Sequence, residues 1–329
     1  MGPARLRRSW KNSQAQSVPE EFLHDRPDFK TLLEIVSRDE EIGESSLVEK
    51  DYWIMHVLWG LETQGFKFEL KGGTSLSKGY RLIHRFSEDI DIQIHPPEGT
   101  TVHVGKNKTK QFHIDSRRNF FDGLAEELSI PGIISVDRDT EFDDHERYRN
   151  AGIRLNYDSH FDSVDGLKDG ILLEVGFDQT QPSEALPISS WAYEHGAASI
   201  SGLIDNRAAA VDCYRPEYTF VEKIQTVVRK FRQFEDTGKM GRNFLRHYYD
   251  IYMLLASERV SSFIGTEGYY EHKNKRFGAS DKEFGIPPAF EILQPDFEAE
   301  YKRTAGLYYR GQVELSEIVE RVTPFLDRL

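Results

Sequence analysis

Two aspartates, Asp89 and Asp91, stand in the stretch SEDIDIQI in strict alternation with Ile90, Ile92 and Ile94. Successive strand side chains point to opposite faces, so both carboxylates share one face and the isoleucines take the other. Two carboxylates at that spacing repel unless a positive charge sits between them, and a hard divalent cation, Mg2+ or alternatively Mn2+, is the usual partner. A glycine turn, KGGTSLSK, precedes them by one short helix. Gly72 and Gly73 let the backbone approach a polyphosphate, and Thr74 and Ser75 open a helix whose free N–H groups favour anions. Lys71 and Lys78 flank the turn as further cations for a triphosphate. A solvated edge strand is the plain alternative for a lone D-x-D, and the preceding turn tips the balance toward metal and phosphate chemistry. A third acid, Glu174, lies in ILLEVGF among Leu172 and Gly176 on one strand face. A buried carboxylate needs a cation or partner, so it either joins the metal of Asp89 and Asp91 or forms an ordinary salt bridge.

These side chains need elements to hold them. Residues 66–70 read as the strand feeding the glycine turn, and 133–137, 153–157 and 171–177 as further strands. Residues 21–64 are helical by pattern, with Ser46 and Glu49 as a capping box and Leu47, Ile54, Leu58 and Leu61 as the buried stripe. Lys50 and Asp51 fall in the first turns of that helix, where they either pair with neighbours or serve the site. Pro96 and Pro97 end the aspartate strand, and the polar segment to Lys110 reads as a mobile loop offering Lys106, Lys108 and Lys110 to an anionic substrate. Residues 112–128 form a helix with Arg117 and Arg118 outside its apolar stripe. From Val211 the pattern turns helical. Thr219 and Glu222 suggest a second capping box, which puts Lys223 in a first turn, against the helix dipole and so placed for something other than helix stability. Arg246 and Asp250 are four apart, suited to an intrahelical pair that positions either against a ligand. Phe244, Tyr248, Tyr249 and Tyr252 read as core and rim. His272, Lys273, Lys275 and Arg276 make the strongest local basic run and the best nucleic-acid contact outside the site.

The chain has 329 residues, 38% of them hydrophobic, enough for one large domain or two small ones. A net charge of −13 argues against a generic polyanion binder. Cys213 is the only cysteine, which excludes a disulfide framework and fits a reducing cytoplasm. No apolar run suits a membrane span or an export signal, and the histidines lack zinc-hydrolase spacing. The expected organisation is a flexible arm over residues 1–20 carrying Arg5, Arg7, Arg8 and Lys11, a core over 21–210 and a helical part over 211–329.

Together LVEKDYWIMHVLWGL, KGGTSLSK, RFSEDIDI, YTFVEKIQ and RHYYDIYMLL, in that order, resemble the AbiEii/AbiGii toxin family of nucleotidyltransferases over roughly residues 45–257. The resemblance implies an α/β (α+β) polymerase-beta-like nucleotidyltransferase core, a mixed sheet flanked by helices, with a helical C-terminal domain completing the nucleotide site. It further implies a bacterial toxin–antitoxin or phage-defence role, a cognate antitoxin, NTP as substrate and, as in some related toxins, tRNA acceptor ends as targets. Gly72, Gly73, Thr74 and Ser75 match the family's phosphate turn and Asp89 and Asp91 its metal-binding acids. Lys223 matches the lysine expected on triphosphate, Asp250 the acid of the helical half, and Glu174 stands as the third strand carboxylate. Transfer to a protein or small molecule, or nucleotide binding without catalysis, stays open beside this reading.

Overall fold

A computed structural model describes residues 20–162, 167–178, 180–241 and 243–329. The arm with Arg5, Arg7, Arg8 and Lys11 lies outside them. A seven-stranded mixed sheet carries the fold: β1 (Lys67–Lys71), β2 (Asp89–His95), β3 (Ile133–Arg138), β4 (Asn150–Tyr157), β5 (Ile171–Gly176), β6 (Ser183–Ile188) and β7 (Ala208–Tyr214), in the order β3-β4-β5-β2-β1-β7-β6. The aspartate strand is therefore the middle strand and not an edge. It runs antiparallel to β1 and parallel to β5.

Helices α1 (Phe29–Asp39) and α2 (Ser45–Thr63) precede the sheet, α3 (Gly72–Thr74) continues into a wide turn over Ser75–Gly79, and α4 (Gln111–Glu127) and α5 (Trp191–Ala197) follow. Ile90, Ile92 and Ile94 are buried in one core with the apolar residues of α2. A second core is built by α6 (Pro216–Thr237), α7 (Arg246–Leu255) and the helices after them, with Leu76 and Ile83 reaching in from the segment between β1 and β2. Phe244, Tyr248 and Tyr249 are buried there, as expected.

Several expectations are corrected. Residues 211–214 do not open the helical half: they complete β7, with Val211 and Cys213 buried, and the helix starts at Pro216, whose missing N–H costs nothing at a first helical position. Lys223 therefore lies in the second turn. Thr219 donates to the Arg215 carbonyl and Glu222 holds Arg276, so neither caps the helix. In α2 the Ser46/Glu49 box is absent as well. That helix is buried nearly all round rather than along a stripe, and its polar residues serve other elements: Glu49 accepts from the Ser159 hydroxyl at 2.8 Å and the His160 amide at 3.0 Å. Arg117, expected outside the apolar stripe, is fully buried and donates to the carbonyls of His103, Lys108 and Arg147. With Arg149 on the carbonyls of Val104, Gly105 and Lys106, it pins the loop expected to be mobile. The basic run lies on α9 (Glu267–Arg276), which follows α8 (Glu258–Phe263), and is largely spent internally. His272 contacts Tyr214, Lys273 the C-terminal Leu329 carbonyl, and Arg276 pairs with Asp178 and Glu222.

Candidate active site

Register brings the expected residues together. Asp91 is paired with Lys71 of β1 on one side and with Glu174 of β5 on the other, so Lys71, Asp91 and Glu174 stand in one row across three strands. Residues in register point to the same face, and Asp89, two positions back, shares it. The turn after β1 closes over this row. Gly72 has φ +72°, and a Cβ there would run into the Asp91 carboxylate; Gly73 lies as close to the Ser87 hydroxyl. Only glycine lets this backbone lie on the acids. The Thr74 hydroxyl donates to the Asp89 carbonyl, tying turn and strand.

The electrostatics follow from crowding like charges in a buried place. Burial, then Asp91 and Asp89, push the Glu174 carboxyl up to about 8. Burial also raises Asp91, against the pull of Lys71, Lys223 and Arg246. Asp89 is held by Lys168 at 3.1 Å, and the Lys168 amide donates to Glu88 at 2.9 Å. Glu88 in turn neighbours the Lys50 ammonium at 3.6 Å. So Lys50 pairs at the site's margin, and Asp51 pairs with Lys78.

The helical half contributes a buried ion network. Arg85 donates both arms of its guanidinium to Asp250, at 2.7 and 2.8 Å, and Lys223 reaches the same carboxylate at 2.7 Å. Burial alone would raise Asp250, but the two cations hold it well below the usual carboxylate range. Burial lowers Lys223, and Asp250 opposes the shift. The expected Arg246–Asp250 pair is not made: Arg85 and Lys223 hold that carboxylate instead. Among the described residues, the buried Arg246 Nε has no hydrogen-bond partner, and its charge bears on Asp91 and Lys223. Lys78 is likewise moved off the phosphate turn: it is spent on Asp51 and lies 5.6 Å from the Trp191 ring centre.

The donor set, oxygen-only carboxylates at the rim of a cationic group, fits a hard divalent cation at Asp89 and Asp91, whose mutual repulsion such an ion would relieve. Among the described residues, no three acidic, histidine or cysteine side chains stand together as a metal-holding group, and Glu174 stands in register beside Asp91. Lys168 supplies the positive charge at Asp89 here. Arg85, Lys168 and Glu88 are site residues that sequence reasoning missed. Arg85 and Glu88 at least adjoin the acids in RFSEDID, whereas Lys168 carries no local signal.

A family model described as "Nucleotidyl transferase AbiEii toxin, Type IV TA system" matches residues 57–321. Among solved structures the chain is similar to an antigenic nucleotidyltransferase-like protein from Paracoccidioides brasiliensis, at 14% identity and TM-score 0.37, covering 69% of this chain and 87% of that one. No curated protein matches the sequence.

Proposed function

The chain belongs to the AbiEii family of nucleotidyltransferase toxins of type IV toxin–antitoxin systems, and from that premise we propose that it moves a nucleoside monophosphate from an NTP to the 3′ hydroxyl of a tRNA in a Mg2+-dependent reaction. The observation that carries the reading is the row Lys71, Asp91 and Glu174, with Asp89 beside it and the glycine turn packed on top. Mn2+ would suit the same oxygens.

The triphosphate lies along the turn at Gly72–Ser75, where free N–H groups meet its oxygens. Lys71, Lys223 and Arg246 supply the charge that steadies the β- and γ-phosphates, with Lys223 aimed by Asp250. Held by Asp89 and Asp91, a divalent ion supplies charge neutralisation and a lowered hydroxyl pKa. The acceptor oxygen attacks the α-phosphorus, the bond from that phosphorus to the bridging oxygen breaks, and pyrophosphate leaves with the electron pair. Glu174, in register beside Asp91, accepts the hydroxyl proton. Asp250 is excluded from that role by its two cations and acts as a positioning residue. On this reading residues 21–215 form the core, the helical part from Pro216 completes the nucleotide site, and the protein works in the cytoplasm with a cognate antitoxin. Among the described residues no helix is long and apolar enough to cross a membrane.

The test is incubation with each labelled NTP, Mg2+ and total cellular RNA, beside an Asp89→Ala control. Label in the tRNA band with the wild type alone is the expected outcome, with transfer by the variant down at least ~10²-fold. Label in protein, or in nothing, would overturn the RNA acceptor or the transfer itself.

A further inference from the structure

Asp89, Asp91 and Glu174 do not line a cleft that opens beside them. That cleft, about 460 Å³, lies between the segment following the glycine turn, the start of α5 and the loop at Tyr309 and Arg310. It meets the site at Ser87, two residues before Asp89, whose hydroxyl lies against Gly73. We propose that this cleft is the acceptor subsite, taking the terminal one or two nucleotides of a single-stranded RNA 3′ end and delivering the hydroxyl past Ser87 to Asp89. The inference rests on the nucleotidyl transfer proposed above.

Four features carry it. Trp191 and Tyr309 stand edge to face, with ring centres 5.2 Å apart, in the cleft wall, an apolar surface on which a base can stack. Arg81 and Arg310 are exposed at the cleft and, among the described residues, have no ion-pair or hydrogen-bond partner. Arg81 moreover has φ +55°, a left-handed conformation that costs an arginine about 1 kcal/mol or more and that commonly persists where a side chain must be aimed. Ser189 lines the same wall and, among the described residues, its buried hydroxyl has no hydrogen-bond partner.

The ligand is an RNA end rather than a second NTP because the triphosphate cations, Lys71, Lys223 and Arg246, are gathered around Asp91 and not in the cleft. Of the cations in the cleft, Lys78 is paired with Asp51 and Arg85 with Asp250, which leaves Arg81 and Arg310 to a ligand, beside the carboxylates of Glu40 and Glu194. That balance suits one or two phosphodiesters rather than a triphosphate. The volume lies in the range of sites that hold small ligands of nucleotide size.

The experiment uses the full chain, a fluorescein-labelled single-stranded RNA with a free 3′ hydroxyl for anisotropy, and equilibrium dialysis of each NTP. The double variant Arg81→Gly and Arg310→Gln should bind the RNA at least about tenfold more weakly and lower the salt slope by about 1.4, at about 0.7 per lost phosphate contact. Trp191→Leu should weaken RNA about tenfold without changing the salt slope. Arg81→Gly keeps the left-handed backbone without strain, so the fold survives; Trp191→Leu tests the cleft separately should the double variant melt early. NTP affinity should stay unchanged in all of them. RNA affinity retained by the variants, no RNA binding by the wild type, or NTP affinity falling together with RNA affinity would each overturn the subsite. Failure of the underlying reading looks different: a wild type that binds the RNA through these residues but labels only protein keeps the cleft and removes the RNA transfer.

Discussion

Glu174 shows most directly how the site trades stability for chemistry. Its carboxyl sits near 8 in the fold against an ordinary value of 4.5, so between those values the folded chain binds a proton that the unfolded chain does not. That contribution to stability is complete below 4.5 and is lost as pH rises through 8. Thermal melts across about pH 6 to 9 should therefore show the wild type losing stability relative to Glu174→Gln at the alkaline end. Parallel slopes would mean that Glu174 titrates normally. If Glu174 is the base, Glu174→Gln should also lose most of the transfer activity, as read by the labelling assay. Asp89, Asp91 and Glu174 were legible in the sequence because strand alternation is a local rule, and it assigns faces correctly without a partner in view. Arg85 and Lys168 were not, since their partners lie 165 and 79 residues away and no local pattern encodes such a meeting.

At the level of elements, the glycine turn and the buried ion network make two separate predictions. Gly72 and Gly43 both have φ near +70°, but a Cβ at Gly43 meets nothing within 4 Å, while one at Gly72 meets the Asp91 carboxylate. Gly43→Ala should thus cost only backbone strain, about 1 kcal/mol, and leave transfer intact. Gly72→Ala should cost more and abolish transfer, as read by denaturant midpoints and the labelling assay; equal effects would show that the turn does not rest on Asp91. Arg85→Met leaves Asp250 buried with Lys223 alone, and breaking such a pair costs roughly 3–5 kcal/mol. Asp250→Asn added to Arg85→Met should restore part of that loss, so a strictly additive cycle would refute the network. The strands around the acids were readable from alternation. Both capping boxes failed because Glu49 and Glu222 are claimed by distant partners, and β6 and β7 were missed because SEALPI and AAAVDCY are weakly patterned.

For the whole molecule, the shift from sheet to helix near residue 211 was legible, with the boundary a few residues early, and it corresponds to two cores rather than one. The first core carries a buried aromatic and histidine cluster that no motif announced. His56 donates from Nε2 to the Pro131 carbonyl at 2.8 Å and accepts at Nδ1 from the Asn206 amide at 2.8 Å, so a second proton would face a donor. His24 lies 4.8 Å away, ring to ring. Burial lowers both to about 4 from 6.5. The unfolded chain therefore binds protons that the fold refuses, and stability from this cluster is present above 6.5 and lost as pH falls toward 4. Glu174 acts in the opposite direction from 4.5 to 8, so of these effects the two histidines dominate below about 6.5 and Glu174 above it. Replacing His56 by Gln keeps a donor and an acceptor but removes the titration. His56→Gln should be less stable than the wild type at neutral pH, yet lose less on acidification to about pH 5. If it instead loses as much, the acid sensitivity lies elsewhere and the cluster is only packing.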